Sequence, residues 1–169
     1  LPSFPTSTLA SGSIPTAQEF ADRTEQFDSA FGDAERLLRK SGRGSVALLT
    51  LSHKAFETVG AAGRYRDRLY KVDSRESLNR LQFVGGRIVF SMPEYVAGVQ
   101  FDHIVIADVN EMDDLGRKTS LRRGRFGSNL YLGASRARYS VALFADATSG
   151  GLASVVRHAA DTGIVKIIS

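Results

Sequence analysis

The sequence predicts an α/β domain: a mostly parallel β-sheet with helices on both faces. Three observations lead there. Residues 45–51 (SVALLTL), 103–109 (HIVIADV) and 139–145 (YSVALFA) are short, largely apolar runs with the length and composition of strands buried on both faces. Other segments carry apolar residues every three or four positions, the period of a helix. Turn residues, such as Gly85-Gly86 and Gly150-Gly151, punctuate the alternation. Strands alternating with helices imply parallel pairing through crossover connections.

The elements follow in order. Residues 1–15 hold three of the four prolines together with Ser, Thr and Gly, which favours an extended or disordered linker before a single domain over residues 16–169. This opening has no apolar run behind a basic stretch, so it does not read as a signal peptide. From residue 16 to 40, Phe20, Phe27, Phe31, Ala34, Leu37 and Leu38 fall mostly at helical spacings. With Thr16 and Glu19 as a capping box, this predicts one long amphipathic helix. After the strand at 45–51, the pattern predicts a short helix over 53–62 ended by Gly63. A strand over 68–72 (RLYKV), a helix over 74–81 and a strand over 87–91 (RIVFS) follow. Beyond the runs at 103–109 and 139–145, a helix over 152–161 and a strand over 164–168 complete the chain.

Composition bounds the function. The chain has 169 residues, 43% hydrophobic and 24% charged, enough for one sizeable core. It has no cysteine, which excludes disulfides, cysteine-ligated zinc and a thiol nucleophile. No run approaches the roughly 18 apolar residues of a membrane span, and a cytoplasmic location is the simplest expectation. The net charge is +4 and the sequence pI about 9.6. Its 22 cations are 17 arginines and 5 lysines. Guanidinium forks match phosphate oxygens and stack on bases, so this bias leans towards nucleotide or nucleic-acid partners.

Two segments carry chemistry. Residues 91–109 (SMPEYVAGVQFDHIVIADV) contain a strand end, a short helical turn, Gly98, the hydrogen-bonding Gln100, the anchoring Phe101, Asp102 and a second buried strand. Residues 129–146 (NLYLGASRARYSVALFAD) run from a helix through Ser135, Arg136 and Ala137 into a strand. An arginine delivered from a neighbouring domain suits the charge spread over a transferred phosphoryl group.

The first segment resembles motif V of the UvrD-like superfamily 1 helicases, with Ala97-Gly98-Val99-Gln100-Phe101-Asp102 on the positions of its Lys-Gly-Leu-Glu-aromatic-Asp core. Pro93-Glu94-Tyr95 is similar to the variant in helicases that recycle stalled RNA polymerase. The second segment resembles motif VI, with Ser135 on the threonine, Arg136 on the arginine finger and Ala137 on the small residue behind it. Both abut a predicted strand and occur in the family's order, 35 positions apart between Gln100 and Ser135. Alanine replaces the motif V lysine, glutamine replaces its glutamate, and no motif IV is visible.

The resemblance implies a RecA-like sheet of the P-loop NTPase type. It implies ATP and Mg2+ as ligands, DNA or RNA as the track, and translocation by closure of a cleft between two RecA-like domains. Arg136 would be catalytic, while Gly98, Gln100 and Ser135 would contact the nucleotide. Ser91, Arg122, Arg123 and Arg125 are candidates for the nucleic-acid strand. The chain has no Gly-x4-Gly-Lys-(Ser or Thr) loop. ATP and Mg2+ would therefore be held mainly by an N-terminal RecA-like domain of the parent chain, and this piece would be inactive alone.

Plainer readings stand beside these. Arg136 also suits a helix-surface cation pairing with Asp102 or Glu94, and Arg138 a solvated neighbour. The cations from Arg117 to Arg125 suit a phosphate-gripping loop and a solvated insert equally. Residues 64–71 (RYRDRLYK) read slightly better as an edge strand than as a stacking platform. Asp113-Asp114 reads as a solvated loop, and the three dispersed histidines as no metal site. The rival function is a non-catalytic RecA-like interaction or nucleic-acid-binding module.

Overall fold

The computed structural model describes residues 13–42, 44–59, 63–119 and 125–169. Seven strands form one sheet: β1 (Thr16–Phe20), β2 (Val46–Thr50), β3 (Leu69–Val72), β4 (Ile88–Ser91), β5 (Phe101–Ala107), β6 (Ala137–Asp146) and β7 (Lys166–Ile168). Their order is β3-β4-β2-β5-β6-β1-β7, and every pair is parallel. The helices are α1 (Arg23–Ser41), α2 (His53–Val59), α3 (Gly63–Arg66), α4 (Arg75–Asn79), α5 (Arg125–Ala134) and α6 (Ser154–Asp161). Short 3₁₀ turns include Pro93–Val96.

The sheet divides the core in two because successive strand residues point to opposite faces. Ala47, Leu49, Ile104, Ile106, Val141 and Leu143 share one layer with Leu130 and Ala134 of α5 and Val156 of α6. Val46, Leu48, Val105, Phe90 and Phe144 share the other with Phe27, Ala30 and Ala34 of α1 and Phe56 of α2. Apolar groups on both faces explain why the central strands read as unbroken hydrophobic runs.

Three expectations are corrected. The single helix predicted over residues 16–40 is a strand followed by a helix. Thr16–Phe20 pairs with β6 on one side and β7 on the other, and Glu19 accepts a hydrogen bond from the Leu152 N–H at 2.9 Å. The N-cap lies six residues further on, at Asp22. Asp22 Oδ1 accepts from the Glu25 N–H at 2.8 Å, and Glu25 Oε2 accepts from the Ala21 N–H at 3.0 Å. Phe20, which matched the helical period, stacks on Phe144 from the strand instead. Gly63 opens α3 rather than closing α2. The alternating stretch at 64–71 divides between α3 and β3, which forms one edge of the sheet. The linker expected over residues 1–15 lies mostly outside the described residues. No helix among those described is long and apolar enough to cross a membrane.

Candidate functional site

The two motif-like segments meet at the N-terminal end of β5 and β6. Proline at the start of the 3₁₀ turn Pro93–Val96 supplies a preset φ. A hydrogen bond from the Val99 N–H to the Val96 carbonyl, 3.0 Å, closes the turn and delivers Gly98 and Gln100 to the start of β5. On the other side α5 ends at Ala134, and the Arg136 N–H donates to the Gly133 carbonyl at 3.1 Å. The helix lies close because residue 133 is glycine. A Cβ there would stand 3.2 Å from the side chains of Ile106 and Leu49 and 3.3 Å from Pro93.

Arg136 then ties the two segments together. Its Nη1 donates to the Ala97 carbonyl at 2.9 Å, its Nη2 to Ser135 Oγ at 3.4 Å, and the Phe101 N–H donates to its carbonyl at 2.8 Å. Its Nε is buried with no hydrogen-bond partner among the described residues. The plainer alternative, Arg136 pairing with Asp102 or Glu94, gives way to this carbonyl contact. Arg138 instead faces Asp102 at 3.8 Å and Gln100 at 3.5 Å. Gly98 and Gln100 are exposed, and Phe101 is anchored in the core. The Gly98 backbone is not left-handed and a Cβ there would meet nothing, so the fold itself does not require glycine. A cavity of about 500 Å³ opens beside Gln100, lined also by Ser45, Gly85, Gly86, Arg87 and Val99.

The candidate nucleic-acid residues do not join this cluster. Ser91 ends β4 and is wholly buried; its hydroxyl donates to the Val72 carbonyl at 2.6 Å. That bond fastens β3 to β4 and leaves the hydroxyl unavailable to a polymer in this conformation. Arg125 is exposed at the start of α5, where it lines a cavity at the C-terminal ends of the strands. Arg122 and Arg123 lie outside the described residues.

That second cavity, about 580 Å³, holds a polar cluster that sequence reasoning missed. Its centre is Asp108, a buried residue in the left-handed backbone region at φ 61°. Such a backbone is costly for a non-glycine residue and persists where surrounding bonds enforce it. Asp108 accepts from Arg23 Nε at 3.2 Å, Arg23 Nη2 at 3.1 Å and Thr50 Oγ1 at 2.7 Å, while its N–H donates to Gln26 Oε1 at 2.6 Å. Gln26 and Asn110 extend the network to Asp146, also fully buried. Asp114 accepts from Ser52 Oγ at 2.5 Å, Arg23 Nη2 at 3.2 Å and the Lys54 N–H at 3.3 Å. Burial pushes the Asp108 carboxyl above its ordinary range, against the opposing pull of Arg23, Thr50 and Gln26. Burial also acts to raise Asp114, but hydrogen bonds from Ser52, the Lys54 N–H and Arg23 outweigh it and hold that carboxyl low. Asp113, expected in a solvated loop with Asp114, organises its own turn through the Leu115 and Arg117 N–H groups. No group of three metal-ligating His, Asp or Glu side chains occurs among the described residues.

No family model and no curated protein matches the chain. Among solved structures, it is similar to one described as the C-terminal domain of a possible DNA helicase from Lactobacillus plantarum WCFS1. The likeness has a TM-score of 0.66 at 16% sequence identity and covers 92% of this chain and 85% of that one. With its all-parallel, seven-stranded sheet covered on both faces, the chain has the RecA-like α/β fold.

Proposed function

We propose that this chain is the second RecA-like domain of an ATP-dependent nucleic-acid helicase or translocase of the UvrD-like kind. In this reading Arg136 reaches the γ-phosphate of an ATP held by the companion domain, with Gly98, Gln100 and Ser135 beside the sugar. The observation that carries it is the contact between Arg136 Nη1 and the Ala97 carbonyl. It joins the motif VI-like and motif V-like segments into one surface, on a fold like that of a helicase C-terminal domain. A planar guanidinium so anchored needs only to exchange one carbonyl for a phosphate oxygen as the cleft closes, and its buried unpartnered Nε–H is a further donor. Magnesium would supply charge neutralisation on the phosphates and, in this reading, is held with them by the companion domain. Alone, the chain hydrolyses essentially no ATP.

One observation favours a non-catalytic scaffold. Arg136 already serves to staple the two segments, and Ala97 and Gln100 stand where the family has lysine and glutamate. The test is nucleic-acid-stimulated ATP hydrolysis by the protein carrying both domains. Arg136→Ala should lower kcat about a hundredfold or more, as for other arginine fingers. Arg136→Lys should fail to restore it, because an ammonium cannot span two oxygens. Hydrolysis indifferent to both substitutions would leave the scaffold reading.

A further inference from the structure

The close approach of α5 to the turn Pro93–Val96 does more than fill the core. We propose that Gly133 is a positioning residue. By letting α5 touch that turn, it brings the Arg136 guanidinium within reach of the Ala97 carbonyl and fixes where the side chain points. The consequence for catalysis rests on the arginine-finger reading of Arg136 given above; the placement of the side chain does not.

Phe126, Leu130, Gly133 and Ala134 follow the helical period and form the face of α5 turned towards the sheet. Glycine is a poor helix former beside alanine, so its place inside the last turn needs a cause. Backbone conformation is not the cause, because Gly133 does not have a left-handed φ. Space is. A Cβ on residue 133 would lie 3.2 Å from Ile106 Cδ1, 3.2 Å from Leu49 Cδ1 and 3.3 Å from Pro93 Cγ. Non-bonded carbons rest about 3.5–4.0 Å apart, so an added methyl group must move something by about half an ångström.

The sheet side does not yield easily. Ile106 and Leu49 are fully buried on β5 and β2, which pair with each other and with β6 and β4 on their outer sides. Pro93 is buried too, and its ring has no free side-chain torsion. The outer face of α5 is open, with Tyr131 exposed, so the helix is what shifts. Arg136 is tied to both elements. Its N–H donates to the Gly133 carbonyl of the helix at 3.1 Å, and its carbonyl accepts from the Phe101 N–H of β5 at 2.8 Å. A displacement of the helix is therefore taken up in residues 134–136 and in the side chain they carry. The contact from Nη1 to the Ala97 carbonyl is 2.9 Å, and about half an ångström more takes it past the useful range of a hydrogen bond. The remaining contact, from Nη2 to Ser135 Oγ at 3.4 Å, is too long to hold the guanidinium by itself. The buried Nε–H is then opened to solvent.

The experiment follows the Arg136 Nε–H by two-dimensional proton–nitrogen NMR of this chain at neutral pH, the signal being assigned by its disappearance in Arg136→Lys. In the unaltered chain this buried proton should exchange slowly with water. Gly133→Ala should speed its exchange about tenfold or more. Ile106→Val alone removes the Cδ1 that faces residue 133 and loosens the core from the strand side, yet should leave the exchange within about twofold. Should Gly133→Ala fail to fold, as judged by a thermal melt, the chain carrying both substitutions is compared with Ile106→Val and should exchange faster. Unchanged exchange in folded Gly133→Ala, an equal change from Ile106→Val, or no protected Nε–H in the unaltered chain would each overturn the proposal.

A second readout is hydrolysis by the protein carrying both domains. Gly133→Ala should lower kcat about tenfold or more and leave KM within about threefold, because misplacement of a transition-state contact by less than an ångström is felt mainly in kcat. The two readings fail in different ways. Hydrolysis unaffected by Arg136→Ala removes the arginine finger, while the exchange measurement still decides the positioning. Loss of kcat in Arg136→Ala without loss in Gly133→Ala overturns the positioning alone.

Discussion

The two ends of the sheet are built in contrasting ways. At the N-terminal end the candidate nucleotide residues come from two continuous segments, residues 97–100 and 135–136, joined by one guanidinium-to-carbonyl bond. Gly98 and Gln100 are exposed, and Arg136 is half-buried. At the C-terminal end Arg23, Gln26, Thr50, Ser52, Asp108, Asn110, Asp114 and Asp146 arrive from widely separated parts of the chain, and most are buried. One end is a largely exposed surface; the other is an internally satisfied network. The difference teaches that residues grouped by short-range spacing can stay on the surface, while a polar cluster assembled from distant positions is buried and satisfied within the chain.

Breaking the network tests this division most severely. Gln26 is wholly buried, donates to Asp108 and Asp146 and accepts from the Asp108 N–H. Gln26→Leu leaves the Asp108 N–H without its acceptor and takes one donor from each carboxylate, and should cost about 2–4 kcal/mol, read from chemical denaturation. The affinity of the Arg136 end for its companion domain should not change. If both ends fail together, they are one cooperative unit and the comparison collapses.

A smaller effect comes from pH. Asp114 is held below its ordinary value, so in the folded state its ionised form is favoured; this stability is present above about pH 4 and lost as pH falls through the folded value. Asp108 has the opposite sign. Its raised folded value favours the folded state in acid and withdraws that contribution as pH rises past the unfolded value. Denaturation midpoints between pH 5 and pH 3 should therefore fall less in Asp114→Asn than in the unaltered chain. An identical acid dependence would mean that Asp114 is not the group held by Arg23 and Ser52.

The smallest effect on stability should come from Gly98→Ala. With open space around the added methyl and no left-handed backbone, the fold should change by no more than about 0.5 kcal/mol. A fall in nucleotide-dependent activity without a fall in melting temperature would then report a ligand approaching residue 98. Unchanged activity would remove Gly98 from the site.

Much of the sheet was legible because parallel strands buried on both faces must be apolar at consecutive positions, as in Val46–Thr50 and Phe101–Ala107. β1 was not. Of its five residues only Ala17 is buried, so it carries no apolar run, and its Phe20 extended the helical period of α1 by coincidence. Ser91 looked like a polar group at a strand end, and only the neighbouring β3 shows that its hydroxyl is consumed by a strand carbonyl.

The sequence by itself determined the α/β alternation, the helices on both faces and the pair of segments at residues 97–100 and 135–136. Each of these depends on periodicity or spacing within a short stretch of chain. Tertiary structure alone decided that β1 pairs between β6 and β7, and that Arg23 meets Asp108 and Asp114 from 85 and 91 residues away. Because every pair is parallel, crossover connections make all strands finish at the same end of the sheet, so residues with no local relation become neighbours there. Burial then makes their mutual hydrogen bonds obligatory.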